Sequence, residues 1–123
     1  MTEVDLKHRT KAFALRVIRL YIALPKSVEA QVLGKQLLRS GTSVGAHYRE
    51  AKRAKSNIDF ISKIEGALQE LDETSYWLEL VEESGIFPVE RLSSIRAEAE
   101  ELTKILVSIA KQVKDRTKAS NKK

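Results

Sequence analysis

Residues 91–114 read RLSSIRAEAEELTKILVSIAKQVK. Leu92, Ile95, Ala99, Leu102, Leu106, Ile109 and Val113 recur at intervals of 3, 4, 3, 4, 3 and 4. Only a helix places all seven on one side, in a two-stripe seam of the coiled-coil type. The spacing predicts a helix opening near Pro88, a residue suited to a first turn. Working back along the chain, residues 57–84 show the same period. Ser56 with Asp59 three positions on is a capping-box variant. Asn57, Phe60, Ile61, Ile64, Ala67, Leu68, Leu71, Ser75 and Leu78 form the expected buried face, and Gly85 is placed as a left-handed stop. Trp77, Leu80 and Val81 lie off that face. With Ile86 and Phe87 they form either an end plug for the bundle or a protein interface.

A further helix is expected from the N-cap Ser27 to about Lys55. Its seam is Ala30, Leu33, Leu37, Ser40, Val44, His47, Ala51 and Ala54, with Gly34, Gly41 and Gly45 on a neighbouring strip beside Tyr48. Three glycines inside a helix cost about 1 kcal/mol each relative to alanine. They imply close approach of another helix, or a kink near Ser40–Ser43. The first helix spans about Asp5–Leu24 and is ended by Pro25. Phe13, Val17, Leu20 and Leu24 share one face, while Leu15, Ile18 and Ile22 fall almost opposite. That arc is wider than the roughly 100° stripe of a helix at the rim of a monomeric bundle. Self-association through Leu15, Ile18 and Ile22 is therefore expected. No segment alternates like a strand, so the fold class is all-α, an antiparallel up-down-up-down four-helix bundle over residues 1–116 with a basic, disordered tail at 117–123.

The 123 residues suffice for one core. There is no cysteine, hence no disulfide and no thiolate chemistry. No apolar run reaches the roughly 18–20 residues of a membrane span, and the polar start MTEVDLKHRT is no signal peptide, so a soluble cytoplasmic protein with no membrane partner is expected. The net charge of +5 is laid out in blocks: +8 over residues 1–55, −8 over 56–110 and +5 over 111–123. Such a layout suits a polyanion partner if the positive charge collects on one surface, and equally suits basic helices neutralised by an acidic neighbour.

Residues 36–80, QLLRSGTSVGAHYREAKRAKSNIDFISKIEGALQELDETSYWLEL, carry recognisable motifs. Arg39, Ser40, Ser43 and Val44 fit an RS-x-x-S-[IV] run. Tyr48, Glu50 and Ala51 fit N-[IY]-x-E-[AG], with His47 in place of its usual asparagine. Ser56, Asp59 and Phe60 fit S-x-x-[DE]-F, Tyr76–Leu80 give a YWLEL ending, and LYIALPKS (residues 20–27) fits an LY-x-x-LPK junction. In these features the chain resembles the bacterial four-helix-bundle proteins encoded in intervening sequences of 23S ribosomal RNA genes. The resemblance implies a four-helix bundle and assembly into ring-like homopentamers. More distantly it is similar to the accessory proteins of diversity-generating retroelements, which bind nucleic acid and a reverse transcriptase. It implies no established activity.

The candidate nucleic-acid site is a ladder on the second helix. Lys35, Arg39, Thr42, Arg49 and Arg53 occupy about one quadrant, extended by Lys52 and Lys55. Such a ladder can meet successive phosphates of RNA or DNA; the competing reading is a solvated face, or pairing to the acidic third helix. Tyr48 alone offers a ring for base stacking. The candidate oligomer interface is Leu15, Ile18, Ile22, Trp77, Leu80 and Val81. Glu50 is expected to pair with Arg53 or with another subunit, His47 to be a satisfied buried donor, and His8 to do nothing specific. No Glu-x-x-His occurs, no P-loop lysine follows the glycines, and no serine has a histidine–acid pair, so no enzyme, metal or cofactor is expected. The function expected is a non-enzymatic oligomeric bundle that binds nucleic acid, structured RNA before DNA. The alternative is a scaffold for another protein.

Overall fold

A computed structural model describes residues 3–121, with side chains from 6 to 119. It contains helices α1 (Glu3–Ala23), α2 (Val28–Lys52), α3 (Asn57–Glu83) and α4 (Ser93–Asn121). Each helix packs against its neighbours in the chain, and α1 meets α4 over the smallest surface. That order makes an antiparallel four-helix bundle, with the start of α1, the end of α2, the start of α3 and the end of α4 sharing one end.

The boundaries follow local chemistry. Ser27 accepts from the Ala30 N–H at 3.3 Å and Ser56 from the Asp59 N–H at 3.0 Å, so both expected N-caps form. Gly85 takes φ +74°, the left-handed value that ends α3. Three boundaries differ from expectation. α2 stops at Lys52, leaving Lys55 in the turn to α3. Pro88 leads into a single 3-10 turn, Val89–Arg91, and α4 starts only at Ser93. At its far end α4 runs on past residue 116 to Asn121, where Thr117 donates to the Val113 carbonyl at 2.9 Å and accepts from Asn57 at 3.1 Å. The first five tail residues thus continue the helix; residues 122–123 lie outside the described residues. Asn57 is exposed rather than buried, because it tethers this end of α4.

The core is built as the spacing demands. Phe13, Val17, Leu37, Val44, Ile64, Leu71, Leu78, Leu92, Leu102 and Leu106 are fully enclosed. Val81, expected off the main face, is 0 % exposed and belongs to the core of one subunit, not to an outward interface. Phe87 belongs to the same buried cluster, with Ile86 and Trp77 packed against it. The helix bearing the three glycines is unbroken. An added Cβ would meet Tyr21 at Gly34, Val17 at Gly41 and Thr10 at Gly45, all on α1, and at Gly34 also Leu24 just past its end. The glycines therefore serve close packing of α1 on α2. Between α2 and α3 the fully buried Thr74 hydroxyl donates to the Glu70 carbonyl at 2.7 Å and lies 2.8 Å from Ser40 Oγ. α1 and α4 are joined by a forked Arg9–Glu98 pair at 2.7 and 2.8 Å and by Arg16 donating to Ser94 at 2.8 Å.

Candidate functional site

The ladder read from the second helix divides in two. Its upper part turns toward α3. Arg39 bonds Glu73 and also reaches Glu70 at 3.3 Å. The Glu73 hydrogen bond first, and then the Glu70 charge, hold its guanidinium above the ordinary arginine value. Pairing to the acidic helix is thus the reading that holds for Arg39. The Thr42 hydroxyl donates to the Leu38 carbonyl at 2.7 Å, the usual back-bond of a helical threonine. Lys35 is exposed on the same helix, distant along the axis from the lower cations.

The lower part joins α1. Antiparallel packing sets the start of α1 beside the end of α2, and a groove of about 650 Å³ opens between them. It is lined by Lys7, His8 and Lys11 from α1, by Tyr48, Arg49 and Lys52 from α2, and by Arg53 at the α2 C-cap. Lys7 and Lys11, one turn apart, face the groove from one wall; Arg49 and Arg53, also one turn apart, face it from the other. Lys7, Lys11, Arg49 and Arg53 make no ion pair among the described residues. The α1 residues were missed from the sequence, His8 included. The available signal was the antiparallel topology itself, which puts Lys7 and Lys11 level with Arg49 and Arg53. Tyr48 is 1 % exposed, so it closes the groove from the core side and offers no face for stacking a base. The same end of the bundle carries Lys55 and, from α4, Lys111, Lys114, Arg116 and Lys118. Lys111 and Lys114 are paired there with Asp115 and Glu65.

Glu50 pairs with Lys63 of α3 at 3.3 Å rather than with Arg53. His47 sits at the α2–α3 seam with its side chain about one-third exposed. Its Nε2 is 3.7 Å from Glu70, whose side chain is 14 % exposed, and its Nδ1 is buried with no hydrogen-bond partner. The satisfied histidine that was expected is not found: Nδ1 has no partner and the Nε2 contact is beyond hydrogen-bond length. An added Cβ at Gly66 would stand 2.9 Å from His47 Nδ1 and 3.0 Å from Cε1. Gly66→Ala is expected to destabilise the chain by about 1 kcal/mol through this clash. In a His47→Ala background the sign should reverse, because the helix-propensity gain of about 1 kcal/mol then stands alone. Thermal melts of the two single variants and the double variant read this directly; the same sign in both backgrounds would contradict it.

Leu15 and Ile22 of the proposed oligomer face are 43 % and 66 % exposed in the single chain, with Ile18 half-buried beside them. Trp77 and Leu80 are half-buried at the α2–α3 side, and Tyr76, packed 5.2 Å from the Trp77 ring, is exposed. Among the described residues no cluster of His, Asp and Glu is placed to hold a metal ion, and no helix is long and apolar enough to cross a membrane.

Comparison with known proteins gives no match among curated proteins. Among solved structures the chain is similar to a Bacteroides thetaiotaomicron protein of unknown function from the S23 ribosomal protein family. The two are 42 % identical with a TM-score of 0.84, over 90 % of this chain and 99 % of the other. The family model for the 23S rRNA-intervening sequence protein matches residues 2–108. The seam as far as Leu106, the glycine-packed α1–α2 pair and the motifs of residues 36–80 thus fall inside a single match, and the chain belongs to the 23S rRNA intervening sequence protein family.

Proposed function

We propose that this protein is a non-enzymatic, self-assembling helical bundle that binds nucleic acid, structured RNA before DNA, through the α1–α2 groove and the basic end around it. The observation that carries the reading is the convergence onto one groove of four cations, Lys7, Lys11, Arg49 and Arg53, that make no ion pair among the described residues. Like charges brought together cost folding energy unless a polyanion answers them. The family's description ties its members to 23S rRNA intervening sequences, which favours RNA. With Tyr48 enclosed, His8 is the one exposed ring among the described groove residues, so recognition is of backbone and shape more than of sequence. Lys35, Arg39 and Thr42 drop out of the contact set in this reading; Arg49, Lys52, Arg53 and Lys55 remain, and Lys7 and Lys11 join them.

Filter binding of a structured RNA should show affinity falling steeply between about 50 and 200 mM salt, as counterion release requires. Absence of binding to RNA and DNA at the lower salt would overturn the reading and favour a protein partner. Self-assembly rests on Leu15, Ile18 and Ile22, whose apolar surface a second copy would cover; the family resemblance points to a pentamer. Sedimentation at micromolar concentration should show an oligomer that Leu15→Glu with Ile22→Glu dissociates into folded monomers. Only monomer in the parent chain would refute the assembly.

A further inference from the structure

The groove has two properties that a passing nucleic-acid backbone does not need. Its cations stand on the two walls of an open groove of about 650 Å³, instead of along a single helix. Its core-side wall is Tyr48, too enclosed to receive a base. A duplex spreads its charge evenly, about one negative charge per 1.7 Å of axis, so a linear track of cations suits it best. A terminal phosphate is different. It concentrates close to two negative charges on one phosphorus, with three oxygens free to accept hydrogen bonds. Arginine forks and lysine ammonium groups converging from two sides match that geometry, since Arg49 and Arg53 bring planar donors and Lys7 and Lys11 bring point charges.

We infer that the α1–α2 groove receives the terminal phosphate monoester of an RNA strand, while the neighbouring basic surface holds the backbone that follows. This rests on the nucleic-acid reading above and narrows it to a strand end. Lys7, Lys11, Arg49 and Arg53 are the contacting groups. The chemistry fits a 5′ or a 3′ phosphate, and the two sources are separated by the choice of probe.

The test uses one RNA oligonucleotide in three forms, bearing a 5′-hydroxyl, a 5′-phosphate or a 3′-phosphate, with fluorescence anisotropy on the full chain. One phosphorylated form should bind about tenfold tighter than the hydroxyl form, the gain expected of one or two charge-assisted hydrogen bonds. Lys11→Ala with Arg49→Ala, both positions lying outside the core, should erase that difference while leaving the circular dichroism spectrum unchanged. Equal affinity for the three forms would overturn the strand-end inference and leave backbone binding standing. No binding of any form at low salt would overturn both. A tenfold preference that persists in the Ala variant would place the terminal phosphate elsewhere and overturn the assignment to this groove.

Discussion

The Gly41→Leu variant is expected to melt about 10 °C or more below the parent chain, a loss of about 3 kcal/mol. A Cβ at this position would stand 2.7 Å and 2.9 Å from the two Val17 methyl groups and 3.2 Å from Val17 Cβ. Val17 is fully buried and β-branched, so in a helix it has one favoured rotamer and cannot swing aside. Leucine adds three more carbons to a contact already too close, and α1 must lift from α2 to admit them. The helix propensity gained by replacing glycine, about 1 kcal/mol, is the smaller term. Val17→Ala in the same chain removes both methyl groups and should recover part of the loss. The double-variant cost should then fall below the sum of the single costs, the signature of two residues in contact. Strictly additive costs, or a melt unchanged by Gly41→Leu, would show that the glycine is not there to seat α1.

Lys11→Glu combined with Arg49→Glu is expected to weaken RNA binding about a hundredfold at low salt and to flatten the log–log salt slope by roughly two. Both side chains line the groove, from opposite walls, and neither holds an ion pair among the described residues. Reversing them removes two phosphate contacts and adds two repulsions, with no buried partner orphaned in the fold. The control is Arg39→Glu. It lies on the same helix but is engaged by Glu70 and Glu73, so its reversal should cost stability and leave the salt slope nearly intact. If Arg39→Glu moves binding as strongly as the groove pair, the upper ladder is the contact surface. If the groove pair dissolves the oligomer and leaves RNA binding unchanged, the basic end is a subunit contact and the scaffold reading gains.

The bundle itself was legible in residues 91–114 and in the caps at Ser27, Ser56 and Gly85, because helical periodicity and capping are local. Where the reading erred, the missing information was long-range. Val81 and Trp77 fall off a single-helix face, yet the core they join also takes in Phe87 and Ile86 from the loop after α3, and no helical wheel contains that loop. Arg39 and Arg49 look equivalent on α2. Only the neighbouring helix separates them: Glu70 and Glu73 meet the first, Lys7 and Lys11 stand opposite the second. Tyr48 appears available for stacking until α1 closes over the glycine strip beside it. His47 falls on the expected seam, but its hydrogen bonds depend on where Glu70 and Gly66 lie on α3.

The uneven placement of charge has one more effect. The starts and ends of the chain's basic blocks meet at a single pole of the bundle, while toward the other Glu29, Asp72, Glu73, Glu79, Glu82, Glu83, Glu90, Glu98, Glu100 and Glu101 outnumber Arg16, Arg19, Lys26, Lys35, Arg91, Arg96 and Lys104. The molecule is therefore an electric dipole along its long axis. In the field of a polyanion it experiences a torque before any contact is made, over a range set by the screening length, about 8 Å at physiological salt. It swings its cationic pole forward on approach, so that encounters are pre-aligned and fewer collisions are wasted on the wrong face.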